Sequence, residues 1–220
     1  EIRMTDYAAA RVAMVDNQVR PSDVTSYPII DAMLAVPREA YTPGPLREVA
    51  YAGEHLPLAR NRVILDPRTF AKMLEASDIG PDDLALDLGC GLGYSTAVLA
   101  RLAAAVIAVE SDPDMARAAR AALEDHEVDN AEVIEGEMAA GAPDHAPYNV
   151  IFVQGGVEDV PQALLDQLRE GGRLVAIRMN GAYGRCEVFT RAAAGVSSWR
   201  AFDAAAPVLD GFEKAAAFEF

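Results

Sequence analysis

Apolar positions along the chain follow two rhythms, and the change between them divides it. From Thr5 to Val19, Ala8, Val12, Val15 and Val19 recur at three- and four-residue spacing, which predicts an amphipathic helix ending before Pro21. Thr25 to Val36 predicts a second helix, with Ile29, Ile30, Met33 and Leu34 on one face. Pro37, Pro43, Pro45, Pro57 and Pro67 then punctuate a stretch of little periodicity, expected to form ordered loops. After a helix over Pro67 to Ser77, short apolar runs alternate with helical patterns. Strands are predicted at 84–89, 105–110, 131–136, 148–154 and 172–178, and helices at 94–103, 113–125 and 160–169. This alternation predicts βαβ units and a doubly wound, Rossmann-like α/β fold, its sheet mostly parallel with helices on both faces. Beyond Gly181 the runs Cys186 to Thr190, Trp199 to Phe202 and Ala215 to Phe220 predict antiparallel closing strands. The pattern thus separates an N-terminal helical extension with covering loops, 1–78, from an α/β unit, 79–220, with the extension expected to pack beside the glycine turn at 89–93.

The first strand of the alternating region ends in chemistry. Leu84 to Tyr94 reads LALDLGCGLGY: an apolar run, Asp87, then Gly89, Gly91 and Gly93 at alternate positions before a helix starting at about Tyr94. Glycine tolerates positive φ and lets a ligand lie almost on the backbone, as a nucleotide-binding first turn requires. A dinucleotide site wants G-x-G-x-x-G, with amides turned onto a pyrophosphate. Here the spacing is G-x-G-x-G, and Asp87 would meet a cationic or amine-bearing ligand rather than a pyrophosphate. The next run, Ala105 to Val109, ends in Glu110, where an acid commonly takes ribose hydroxyls. The set suits S-adenosylmethionine, which carries an adenosine, a sulfonium and an amino acid tail but no phosphate. A nicotinamide dinucleotide, or a glycine turn with no ligand, stays open on spacing alone.

Composition narrows the partners. The 220 residues carry a formal net charge of -15, which repels a nucleic-acid backbone over most of the surface. No apolar run reaches membrane-spanning length and the N-terminal residues lack a signal peptide's apolar core, so no membrane partner and a cytoplasmic location are expected. Cys90 and Cys186 lie far apart, and no disulfide is expected in a reducing compartment. Cys90 fits the crowded turn as a small side chain better than as a nucleophile. His55, His126 and His145 are scattered without metal-ligand spacing, so no metal is expected.

DLGCGLGY with Glu110 ending the following strand resembles motif I of the class I S-adenosylmethionine-dependent methyltransferases. Around it, VPREAYTP (36–43), PLARNRVILDP (57–67), NAEVIEG (130–136), PYNVIFVQGG (147–156) and APVLDGF (206–212) resemble the blocks of protein-L-isoaspartate O-methyltransferases in order and spacing. The resemblance covers most of the chain. It implies methyl transfer from S-adenosylmethionine to an isoaspartyl carboxylate in a damaged protein or peptide, leaving S-adenosylhomocysteine. It also implies a cofactor set of Asp87, Gly89, Cys90, Gly91, Gly93, Tyr94, Glu110, Ser111, Glu137, Met138 and Gln154, with Glu137 on the adenine amine. The family's loop before motif I reads approximately T-I-S-Q-P, and the substrate loop here is Ile64, Leu65 and Asp66 ahead of Pro67, so a leucine stands where the family has its serine. Asn149 replaces the family's usual aspartate at a position read as structural. A carboxylate acceptor needs no general base; for a hydroxyl or amine acceptor, Asp66 is the nearest candidate by sequence. The alternative is a family member that methylates another acceptor, or that binds cofactor or a partner without turnover. Oligomeric state is not encoded in these patterns.

Overall fold

The computed structural model describes residues 6–214. The first helix, α1 (Tyr7–Met14), is capped by the Asp6 carboxylate, which accepts the Ala9 amide at 3.0 Å. It runs on through a π turn at Val15–Val19 and a 3-10 turn at Arg20–Ser22. Val15 and Val19 are buried as the spacing predicts, with Met14 beside them, whereas Ala8 and Val12, on the preceding turns of α1, are exposed. The second helix, α2 (Tyr27–Ala35), buries Ile29, Ile30 and Met33 as its spacing predicts.

The stretch expected to be loop holds a small antiparallel hairpin, β1 (Leu56–Ala59) and β2 (Arg62–Ile64), with Leu56 opposite Ile64 and Ala59 opposite Arg62. Arg60 and Asn61 make the turn, with Asn61 in the left-handed region at φ 57°, where asparagine is tolerated. Helix α3 (Pro67–Ser77) follows at once. Asp66 is its N-cap and accepts the Thr69 amide at 2.9 Å, and Pro67 occupies the first helical position.

Seven strands build the main sheet in the order β5-β4-β3-β6-β7-β8-β9. They are β3 (Leu84–Leu88), β4 (Ala105–Glu110), β5 (Ala131–Glu135), β6 (Tyr148–Val157), β7 (Leu168–Asn180), β8 (Tyr183–Ala192) and β9 (Gly195–Asp203). The first five pair in parallel and the last two antiparallel. The expected mostly parallel α/β sheet with antiparallel closing strands is therefore present; the third such strand, at Ala215 to Phe220, falls outside the described residues. Helices α4 (Tyr94–Ala100) and α5 (Pro113–Asp125) connect the early strands. The helix expected over 160–169 shrinks to a single turn, α6 (Gln162–Leu165), because Leu168 already pairs with Tyr148 as the start of β7.

Side chains alternate between the sheet's two faces. Ala85, Val106, Ala108, Val150, Phe152, Val175 and Ile177 join a core shared with α1 to α5, including Met33, Phe70, Leu74 and Leu99. Leu86, Leu88, Val109, Ile151, Val153 and Leu174 face the opposite core with Leu164, Leu209 and Phe212. Strand order reverses at β3, whose neighbours are β4 and β6. In an open α/β sheet a ligand crevice lies beyond the carboxyl end of such a strand.

Candidate active site

The glycine turn occupies that position. Gly89, Gly91 and Gly93 have φ of +79°, +57° and +98°, values that side chains with a Cβ seldom adopt. Space also demands glycine here: a Cβ on Gly91 would come within 2.5 Å of Leu58 Cδ1, and one on Gly89 within 3.1 Å of Met138 Sδ. The Gly89 amide donates to the Val109 carbonyl at 2.8 Å and the Gly91 amide to Glu110 Oε2 at 2.7 Å. The end of β4 therefore holds the turn in place.

Asp87, which the sequence suggests for a cationic or amine-bearing ligand, is engaged by donors of the chain itself. It is fully buried beneath the turn: Oδ2 accepts the hydroxyls of Ser95 at 2.6 Å and Thr96 at 2.7 Å, and Oδ1 accepts Gln154 Nε2 at 2.8 Å. Burial raises its pKa above the usual carboxylate range against these three donors, with the nearby Glu110 charge adding to the rise. The carboxylate ties the start of α4 to the middle of β6. Burial, with the Asp87 and Glu110 charges, likewise holds the Cys90 thiol well above its ordinary pKa. Cys90 is thus a protonated packing residue at neutral pH, as its place in the turn implies.

Glu110 is also fully buried, and four donors converge on it. Arg62 Nη1 reaches Oε1 at 2.7 Å and Arg62 Nη2 reaches Oε2; the Asp112 amide joins at Oε1 at 3.0 Å and the Gly91 amide at Oε2. Burial works against the Arg62 charge, but pairing with Glu110 outweighs it and the net shift raises the guanidinium pKa.

The substrate loop of the sequence analysis lies next to the turn. Ile64 and Leu65 are buried, and the Leu65 carbonyl accepts Arg38 Nη2 at 2.9 Å, while Arg38 Nε donates to the Ala50 carbonyl at 2.7 Å. Arg38 is itself fully buried, which lowers its pKa, and its guanidinium lies 4.7 Å from the centre of the Tyr94 ring. The Asp66 side chain caps α3 through Oδ1, and its Oδ2 lies 3.2 Å from His55 Nδ1. The Asp66 amide donates to His55 Nδ1 at 2.9 Å, and His55 Nε2 lies 2.9 Å from the Ala205 carbonyl. Leu58, Val63, Leu65, Phe70, Cys90 and Tyr94 are among the residues closing over a cavity of about 10 Å³, no more than a single water requires.

The fold thus gathers Ile64, Leu65, Asp87, Gly89, Cys90, Gly91, Gly93, Tyr94, Glu110, Met138 and Gln154 at one end of β3. Ser111 and Glu137 are exposed. Sequence reasoning assigned no role to Leu58, Arg62, Arg38 or His55. The one available signal was an arginine, Arg62, directly ahead of the apolar run Val63 to Leu65 in a segment already matched to the family. The positive-φ cradle, which a Cβ would fill, fits a cofactor of adenosine type, while the two buried carboxylates beside it, Asp87 and Glu110, are held by donors of the chain itself.

Comparison with known proteins places this architecture. The sequence profile of protein-L-isoaspartate(D-aspartate) O-methyltransferase (PCMT) matches residues 9–199. The chain belongs to the protein-L-isoaspartate O-methyltransferase family. It is 39% identical over 172 residues to such a protein from Koribacter versatilis, covering 78% of each chain. It is 36% identical over 190 residues to another from Gloeobacter violaceus, covering 86% of this chain and 93% of that one. Among solved structures, one protein-L-isoaspartate O-methyltransferase superposes with a TM-score of 0.78 at 23% identity, over 92% of this chain and 65% of the other. A second, from Plasmodium falciparum in complex with S-adenosyl-L-homocysteine, gives 0.78 at 20% identity over 91% and 98%. At these identities the two structures establish the shared fold. Among the described residues no helix is long and apolar enough to cross a membrane.

Proposed function

We propose that the chain methylates the carboxylate of isoaspartyl residues in proteins or peptides, with S-adenosylmethionine as donor. The observation that carries this reading is the glycine turn facing Glu110 at the sheet's switch point, in a chain of this family. When bound, the donor offers an electrophilic methyl on sulfur, so that an O–C bond forms as the C–S bond breaks and S-adenosylhomocysteine leaves.

The chain's own residues align and enclose. The acceptor carboxylate is already charged near neutral pH, so no base is required. Asp66 caps α3 through Oδ1, and its Oδ2 lies beside His55. Gly89, Cys90, Gly91, Gly93 and Tyr94 form the cradle, Glu110 and Ser111 serve the ribose side, and Glu137 and Met138 serve the base. Asp87 and Gln154 are positioning residues that brace the turn from below. Arg38 fixes the acceptor loop through the Leu65 carbonyl, and the apolar enclosure of Leu58, Val63 and Phe70 keeps water out. On this reading residues 1–78 cover the site and 79–220 hold the donor. The partner is a damaged polypeptide, not nucleic acid or membrane, and the location is cytoplasmic.

Transfer of labelled methyl to an isoaspartyl peptide, beside the same peptide with ordinary aspartate, tests the proposal. Base-labile label on the isoaspartyl peptide alone is expected. Equal labelling of both, or none while S-adenosylhomocysteine binds, would overturn it.

A further inference from the structure

The β1–β2 hairpin touches the glycine turn at one point and the end of β4 at another. Leu58 Cδ1 fills the space above Gly91, and the Arg62 guanidinium forks onto Glu110. A carboxylate offers about four lone-pair positions. On Glu110, two go to the amides of Gly91 and Asp112 and two to Arg62. A ribose diol needs two acceptor positions, so it cannot join while Arg62 stays. Among the described residues, Glu110 is the only carboxylate within ion-pair distance of Arg62, so each is the other's charge partner.

We infer that Arg62 is a tethered competitor for the ribose-binding carboxylate. The cofactor enters by exchanging its two ribose hydroxyls for the guanidinium on Glu110, as the hairpin lifts Leu58 off Gly91. This rests on the reading that Glu110 serves the ribose. The exchange sets affinity as well as access, because the apparent dissociation constant is the intrinsic one divided by the fraction of molecules with Glu110 free. It also links the two substrates. β2 runs directly into Leu65 and Asp66, so a hairpin that shifts for the cofactor shifts the acceptor loop with it, and cofactor binding precedes productive acceptor binding.

Titration and rapid mixing with S-adenosylhomocysteine test the exchange, on wild type, Arg62→Gln and Leu58→Ala, each checked for folding by circular dichroism. Arg62→Gln removes the competing charge and should tighten binding about tenfold or more, since charge-assisted pairs are the strong ones in such an equilibrium. Leu58→Ala should tighten it by a smaller factor. In wild type the observed association rate should level off as ligand rises, at the rate of hairpin opening. Folded Arg62→Gln that binds equally or more weakly would overturn the inference, as would a wild-type rate that climbs linearly without a plateau. The wild-type kinetics keep the test decisive if a variant fails to fold. Failure of every folded form to bind would overturn the assignment of Glu110 itself, and the inference with it.

Discussion

Glu110 serves structure before it serves any ligand. Removing it leaves the Arg62 guanidinium buried without a counter-charge and frees the Gly91 amide. Breaking a buried pair from one side costs roughly 3–5 kcal/mol, so Glu110→Ala should lower unfolding stability by about that amount in urea titrations. Glu110→Gln, which still accepts hydrogen bonds, should lose clearly less. Equal losses would mean that charge pairing contributes little and that shape alone holds the hairpin. A loss of cofactor affinity in Glu110→Ala therefore mixes ribose contact with hairpin release, and the stability measurement separates them. The two thiols make a simpler case. Burial, aided by Glu187, pushes the Cys186 pKa up to about 12, which leaves ~1 thiolate in 10,000 at pH 8. Cys90 is raised well above 9 for the same first reason. Because the folded-state pKa values are raised, reactivity grows only as pH climbs towards them. Native protein should resist iodoacetamide at pH 8 and take up two equivalents once unfolded in guanidinium, as counted by mass spectrometry. Rapid native labelling of Cys90 would show that the turn opens readily.

Among the elements, Arg38 connects the most with the least. From the short turn after α2 it donates to the Ala50 and Leu65 carbonyls and lies against Tyr94. Arg38→Met keeps the apolar stem but leaves two buried carbonyls without donors, each costing roughly 1–3 kcal/mol. Stability should fall by about 2–6 kcal/mol, and the KM for an isoaspartyl peptide should rise as the Leu65 loop loosens. Arg38→Lys should recover part of both, while an unchanged KM would detach Arg38 from the acceptor loop. Elements whose cause is local were legible in the sequence. β4 and α5 begin and end where their apolar runs and the Asp112-Pro113 start place them, and β3 ends one residue before the predicted limit. The hairpin was not legible. Its strands are four and three residues long, and one of its inward side chains is an arginine whose burial makes sense only beside Glu110, 48 residues away. The end of α6 failed for a similar reason, since pairing with Tyr148 claims Leu168 for the sheet. The same division runs through the site. The glycine turn and Glu110 announce themselves by spacing, whereas Leu58, Arg62 and Arg38 acquire meaning only from tertiary contact.

At the scale of the whole molecule, two effects compete around the free edge of the sheet. β9 is the terminal strand and exposes most of its length, including Trp199, the single tryptophan, at 51%. The chain's net charge of -15 repels anions and attracts cations around every exposed group. Next to Trp199 sits Arg200, which would do the opposite, but its guanidinium is held by Asp203 at 2.6 Å and so adds little net field. The global charge should therefore win. At low ionic strength caesium should quench Trp199 fluorescence more effectively than iodide, with neutral acrylamide approaching the rate seen for unfolded chain. Raising salt to about 0.5 M, where the screening length falls to ~4 Å, should bring the two ions together. Stronger quenching by iodide would show that the basic residues of β8 and β9 dominate locally. Protection from all three quenchers, lifted by dilution, would show instead that the β9 edge is covered by a second copy of the chain, as an unpaired strand edge invites.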